Sequence, residues 1–354
     1  MKVAVFSTKP HDKEFLDQAN KDGQYQFTYF ETRLSKLTAP LAEGFPAVCV
    51  FVNDDLDGEI LLQLFDGQTR MIALRCAGFN NVDLSATDQL GMTVARVPAY
   101  SPHSISEYTI GMILSLTRKL HRSFDRTRDG NFSLDGMMGF DLCNKTVGII
   151  GTGKIGSLTA QGLHGLGCRV LAHDLSKNAE LEAWGIEYVS RDELFHSSDV
   201  ISLHCPLLPD THHLINAQSI EKMKRGVLLI NTSRGGLVDT EDVIQALKSE
   251  QIGGFGLDVY EEEGDIFYED YSNRVLQDDI LARLLTFPNV VVSGHQAFFT
   301  QEAMQSIAET TIQNLAAFAR GDQPPGMIHY QMLKQRNAAT ARKETPVIAD
   351  TVPF

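Results

Sequence analysis

Short apolar runs alternate with amphipathic stretches along almost the whole chain. Runs at residues 2–7, 47–52, 71–76 and 93–97 are each closed by polar or glycine residues, which is the punctuation of buried β-strands. Strands separated by helical patterns imply βα units and a parallel sheet. Pro98 and Pro102 interrupt this series. A helical pattern follows over 104–120, with Ile105, Tyr108, Ile110, Met112, Ile113 and Leu116 at its apolar positions. Residues 129–144 are rich in glycine and polar side chains and read as a connecting arm. A second series starts at Lys145, with apolar runs at 146–150, 169–172, 200–204, 226–230, 254–257 and 290–293. Six runs with helices between them match a full doubly wound sheet. After Thr300 an amphipathic helix carries Ala303, Ile307, Ile312, Leu315 and Phe318, and GDQPPG at 321–326 ends it. From about Met327 the chain is polar, and residues 331–354 read as a poorly ordered tail.

Composition narrows the class. A chain of 354 residues is too long for one ordinary core, so two domains are expected. The hydrophobic fraction of 43% and charged fraction of 21% suit a soluble globular protein. A net charge of -14 argues against nucleic acid, whose phosphates need clustered Lys and Arg; its plain reading is solubility. Cys49, Cys76, Cys143, Cys168 and Cys205 are scattered and never spaced as CxxC. That excludes a zinc knuckle and argues against a disulfide framework, so a reducing compartment is expected; no metal is expected either. The opening residues MKVAVF form a first strand, too short for a signal peptide, and no apolar stretch approaches bilayer length. The expected setting is the cytoplasm, with no membrane partner.

The run at 146–150 leads directly into Gly151-Thr152-Gly153-Lys154-Ile155-Gly156. A GxGxxG alone is weak, but between a buried strand and a helix it becomes evidence of a dinucleotide site. Gly151 permits the tight turn, Gly153 lets backbone approach the pyrophosphate, and Gly156 lets helix and strand pack closely. The N–H groups of Lys154 and Ile155 then face the phosphates at the positive end of the helix. Asp174, 18 residues beyond Gly156, ends the next run. A carboxylate there accepts from the adenosine ribose hydroxyls and repels the extra phosphate of NADP, so NAD is the expected cofactor. Alone, Asp174 would read equally well as a helix N-cap.

In an open parallel sheet, ligands bind beyond the carboxyl ends of the strands. Unusual polar residues fall there: Cys205-Pro206, Thr232-Ser233-Arg234, Asp258 and His295. Singly, such an Arg is a solvated loop residue and such a His is structural. Together at one sheet edge they form a cleft-lining set. An Arg offers paired donors to a carboxylate, a His moves a proton near neutral pH, and a carboxylate orients the ring. Charge alone does not choose among Glu261, Glu262, Glu263 and Asp265.

Longer stretches then carry a resemblance. They are RCAGFNNVD from Arg75, VPAYSPHSISEYTIG from Val97, GTGKIG from Gly151, HCPL from His204, NTSRGGLVD from Asn231, GLDVYEEE from Gly256 and SGHQAF from Ser293. In these the chain resembles the D-isomer-specific 2-hydroxyacid dehydrogenases, most closely the fermentative D-lactate branch, up to about residue 328. The resemblance implies catalytic Arg234, Glu263 and His295, holding substrate carboxylate, orienting the histidine and moving the proton. It places Thr211 and Asp258 beside the cofactor with Cys205, Pro206, Thr232 and Ser233. It gives Ala77 and Gly78 backbone donors toward the substrate carboxylate, with Phe51, Tyr100 and Phe299 walling a pocket suited to a methyl group. It implies a flavodoxin-like substrate domain from 1–99 and 300–330, and a Rossmann-type NAD domain from 100–299. Pyruvate reduction to D-lactate is the expected reaction, in a homodimer or homotetramer. The alternatives are hydroxypyruvate, glyoxylate, phenylpyruvate or a branched 2-oxo acid as substrate, or an NAD-sensing interaction protein of corepressor type.

Overall fold

The computed structural model describes residues 1–330; the segment read as a poorly ordered tail, 331–354, lies outside the described residues. The chain divides into two compact units, one from Met1–Tyr100 with the segment from Gln301 onward, the other Ser101–Thr300.

The first unit holds five parallel strands, β1 (Lys2–Val5), β2 (Gln26–Tyr29), β3 (Ala47–Val50), β4 (Met71–Leu74) and β5 (Thr93–Ala95). Their order is β2-β1-β3-β4-β5, the flavodoxin-like winding. Alternate residues serve opposite faces: Val3 and Val5 join one core, Ala4 and Phe6 the other. The helix Gln301–Arg320 returns to this unit, packing Ala308 and Leu315 against the β1 side. β2 is not marked by the apolar pattern. Its QFTY sequence has no continuous apolar run, and only the alternation of Tyr25, Phe27 and Tyr29 marks it.

The second unit holds seven parallel strands: β6 (Thr146–Ile150), β7 (Arg169–His173), β8 (Glu187–Tyr188), β9 (Val200–Leu203), β10 (Val227–Asn231), β11 (Ile252–Leu257) and β12 (Val290–Val292). Their order, β12-β11-β10-β9-β6-β7-β8, is the doubly wound arrangement, with its reversal point between β6 and β9. The sequence pattern accounts for six of these; β8, an edge strand of two residues, is too short to leave a pattern. On β10, Val227 and Leu229 face one core while Leu228 and Ile230 face the other, so helices cover both sides.

The helix expected over 104–120 is instead Pro102–Thr117, started by Ser101, whose hydroxyl accepts from Ser104 N–H. The chain breaks at Lys119, which is left-handed at φ 53°, and a second helix runs Leu120–Arg128 with no buried residue. The arm at 129–144 contains no helix or strand. It exposes Phe132, Leu134 and Met138.

Candidate active site

The glycine loop is built as the spacing requires. Gly151 sits at φ 95°, and a side chain there would press into the His204–Cys205 backbone. A Cβ on Gly156 would collide with the Gly151 carbonyl oxygen, so helix Lys154–Gly165 meets the strand backbone directly. A Cβ on Gly153, by contrast, would meet open space. Gly153 is also the N-cap of that helix and supplies no side-chain cap, which leaves the first-turn N–H groups of Lys154 and Ile155 available to an anion. The open approach and the uncapped helix start both fit a dinucleotide pyrophosphate.

Asp174 follows β7 and is fixed from both sides. Oδ2 accepts from Thr152 N–H at 2.6 Å and Thr152 Oγ1 at 3.1 Å, and Oδ1 from Ser176 N–H at 3.1 Å. It does not cap the next helix; Asn178 does. Below the loop, burial holds the His204 imidazole down to a pKa of about 4, and Ser202 Oγ stands 2.9 Å from its Nε2. Burial pushes the Cys205 thiol up to about 11, so Cys205 is an inert lining group.

Several of the remaining residues brace loops through their side chains. Thr211 Oγ1 donates to Pro206 O at 2.7 Å and accepts from Leu208 N–H at 2.8 Å, closing the 206–211 turn. Thr232 Oγ1 lies 2.8 Å from Thr109 Oγ1, and Ser233 Oγ donates to Cys205 O at 2.7 Å. Arg234 is half-buried, its carbonyl held by Asn231 Nδ2 at 2.8 Å. One of its guanidinium nitrogens, Nη1, donates to Ser233 O at 2.6 Å. Nη2 and Nε take no partner among the described residues, and they carry the parallel donors that suit a carboxylate. A Cβ on the adjacent Gly235 would strike the Tyr260 carbonyl, so the Arg234 loop lies against the backbone that leads to Glu263.

The fold separates the acidic neighbours that charge could not. Glu263 Oε1 meets His295 Nδ1 at 2.8 Å while its Oε2 accepts from Tyr260 N–H at 2.9 Å. Glu261 turns instead to His213, at 2.6 Å. His295 is left-handed, at φ 51°, and its N–H donates to Asp258 O at 2.7 Å. With Nδ1 committed to Glu263, Nε2 has no partner among the described residues and is the nitrogen left for a substrate.

Asp258 is 1% exposed and holds this loop with its side chain. Oδ1 accepts from Ser293 Oγ at 2.6 Å and Gln296 N–H at 2.8 Å; Oδ2 accepts from Ala297 N–H at 2.9 Å. Its carboxylate therefore serves the chain itself, a bracing role that the sequence did not separate from cofactor contact.

Arg234, Glu263, Asp258 and His295 thus lie together in the second unit. Phe299, 47% exposed, belongs to that unit too. Phe51, Ala77, Gly78 and Tyr100 belong to the first, just past the ends of β3, β4 and β5. A buried network sets Phe51: Asp54 Oδ2 accepts its N–H at 2.6 Å, and the Arg75 guanidinium lies 5.1 Å from its ring centre. Arg75 is in turn paired with Asp12 at 3.1 Å. Sequence reasoning passed over Asp12, Asp54, His212 and His213. The two aspartates sit among helix and turn residues where carboxylates are common, and only the adjacent histidine pair was a readable signal.

Comparison with known proteins places this geometry. Residues 110–297 match the D-isomer specific 2-hydroxyacid dehydrogenase NAD-binding domain. The chain is 50% identical over 329 residues to 2-hydroxyacid dehydrogenase homolog 1 of Schizosaccharomyces pombe, covering 93% of this chain and 99% of that protein. It is 50% identical over 325 residues to the D-lactate dehydrogenase of Escherichia coli, covering 92% and 99%. The solved apo-structure of the E. coli D-lactate dehydrogenase superposes with a TM-score of 0.86 at 47% identity, covering 93% of this chain and all of that one. The chain belongs to the D-isomer specific 2-hydroxyacid dehydrogenase family, and Ser101–Thr300 contains its NAD-binding domain.

Proposed function

We propose that the protein is an NAD-dependent D-lactate dehydrogenase that reduces pyruvate with NADH. The observation that carries this reading is the His295–Glu263 pair at 2.8 Å, set on loops beyond β11 and β12 with Arg234 beyond β10. NADH, held by Gly151, Gly153, Lys154, Ile155, Gly156 and Asp174, supplies the hydride when bound. Arg234 takes the pyruvate carboxylate on its free guanidinium edge. His295 gives a proton from Nε2 to the carbonyl oxygen as it becomes an alkoxide. Glu263 fixes the ring and stabilises the imidazolium at Nδ1. Cys205, Pro206, Thr211, Thr232, Ser233 and Asp258 shape the nicotinamide side. In the first unit, Ala77 and Gly78 are the backbone N–H donors assigned to the substrate, with Phe51 and Tyr100 as its apolar contacts; in the second unit Phe299 is assigned the same apolar role. In this reading the first unit is the substrate domain and the second the cofactor domain.

Exposed Phe124, Phe132, Leu134 and Met138, on the Leu120–Arg128 helix and its arm, support a homodimer or homotetramer built through this segment. No described helix is long and apolar enough to cross a membrane. The five unpaired cysteines support work in a reducing cytoplasm.

The test compares kcat/KM for pyruvate, hydroxypyruvate, glyoxylate, phenylpyruvate and a branched 2-oxo acid at fixed NADH. Pyruvate is expected to lead, with D- and not L-lactate as product. His295→Ala is expected to lose roughly a hundred- to ten-thousand-fold in kcat while NADH affinity stays close to wild type. Wild-type turnover in that variant overturns the assignment; absence of turnover with every 2-oxo acid favours a corepressor-type sensor.

A further inference from the structure

Among the described residues, one ligand-bearing cluster takes no part in the reaction as described. His212 and His213 follow the Pro209–Thr211 turn with their rings stacked, centroids 4.0 Å apart and planes 24° apart. Both Nε2 atoms approach one carboxylate: Glu261 Oε1 is 2.6 Å from His213 Nε2 and 3.8 Å from His212 Nε2. One ligand atom from each of the three lies within 4.8 Å of the others. Behind His213, Asp239 Oδ2 stands 3.4 Å from Nδ1.

The cluster is held from outside. Asp239 caps the helix Thr240–Lys248 by accepting from Asp242 N–H at 3.1 Å. His213 N–H donates to Gly236 O at 2.9 Å, and Asn216 Nδ2 donates to His213 O at 2.9 Å.

A simple ion pair needs one imidazole and one carboxylate. Here a second imidazole is stacked toward the same oxygen, and a second carboxylate stands at the far nitrogen of the inner ring. A carboxylate behind a ligating histidine is the usual support of a protein metal site, because it fixes ring orientation and raises basicity. Two imidazole nitrogens and one carboxylate oxygen, each partly open to solvent, match zinc with a fourth position for water. Magnesium and calcium prefer all-oxygen sets.

We propose that His212, His213 and Glu261 form a binding site for a zinc-class divalent cation, with Asp239 as the residue that positions His213. The ion takes the place of the hydrogen bond between His213 Nε2 and Glu261; the ring keeps its proton on Nδ1, facing Asp239, and any second ring proton passes to solvent. Because Glu261 is two residues from Glu263, the bound ion ties the 206–213 loop to the loop that carries Glu263.

The experiment titrates the metal-free full-length chain with Co²⁺ alone and follows its visible absorption, which is intense when the ion is four-coordinate. About one equivalent is expected to bind, to be displaced by Zn²⁺ and to be unaffected by Mg²⁺. His212→Ala is expected to weaken binding at least tenfold. Asp239→Asn keeps an oxygen for the helix cap but loses the carboxylate charge, and is expected to weaken it ten- to a hundredfold. His196→Ala, at an exposed histidine on another helix, is expected to leave the titration unchanged. A wild-type titration without the four-coordinate band overturns the proposal, as does a His212→Ala titration that superimposes on wild type. Pyruvate-dependent NADH oxidation, measured without metal, separates failure here from failure of the dehydrogenase assignment.

Discussion

Replacing Asp258 tests whether the histidine loop is held by one buried carboxylate. Three donors converge on it: Ser293 Oγ, Gln296 N–H and Ala297 N–H. Hydrogen bonds to a charged group contribute about 1.5–3 kcal/mol each, and a buried donor left without a partner costs about 1–3 kcal/mol. Asp258→Asn keeps the shape and can retain the two bonds at one oxygen. The new amide group then confronts Ala297 N–H, donor against donor. Loss of the buried charge returns some desolvation energy, so the net cost is expected to be about 2 kcal/mol. Asp258→Ala strands all three donors and is expected to cost about 4 kcal/mol or more. His295 lies inside the loop, and a displacement of about 1 Å at a reacting group lowers rates by about a hundredfold. Both variants should therefore lose kcat in the order Asn less than Ala, with NADH affinity changed less. Urea midpoints and steady-state kinetics measure the two effects. Stability within about 0.5 kcal/mol of wild type together with kcat within twofold, for Asp258→Ala, would show that the loop is held by something else.

Arg234→Lys keeps the charge but removes the planar fork; KM for pyruvate is expected to rise by about ten- to a hundredfold, and an unchanged KM assigns the carboxylate to another group. Gly156→Ala drives a methyl group into the Gly151 carbonyl and should cost about 1–3 kcal/mol, with weaker NADH binding by fluorescence titration. His204 gives an acid-side prediction. Its folded pKa of about 4 lies below the unfolded value of 6.5, so the unfolded chain takes up a proton first. Stability is lost as pH falls from about 6.5 toward 4, by about 2 kcal/mol at pH 5, and His204→Gln should remove that component from urea midpoints compared at pH 7.5 and 5.

The winding of both sheets was legible because parallel strands buried on two faces leave continuous apolar runs. β2 and β8 left none, being half-exposed or two residues long. The break at Lys119 was hidden because a left-handed lysine has no signature in composition, whereas Gly151 advertises its own backbone. At the site, the order Arg234, Glu263, His295 along strand ends was readable, but the choice of Glu263 was not. Three adjacent glutamates are equivalent as symbols; only the Tyr260 turn aims one at His295 and another at His213. The bracing role of Asp258 was likewise hidden, because its three internal donors are brought to it only by the folded loop.

The left-handed backbone at His295 has a bearing on how this protein tolerates change. A residue with a Cβ held at φ 51° costs about 1–2 kcal/mol that glycine would not. Glycine at position 295 would relieve that strain but give up the Nδ1–Glu263 hydrogen bond and the proposed proton donor, so the two effects on folding oppose each other. Stability screens alone therefore leave that codon weakly constrained, and libraries of this enzyme need an activity filter there.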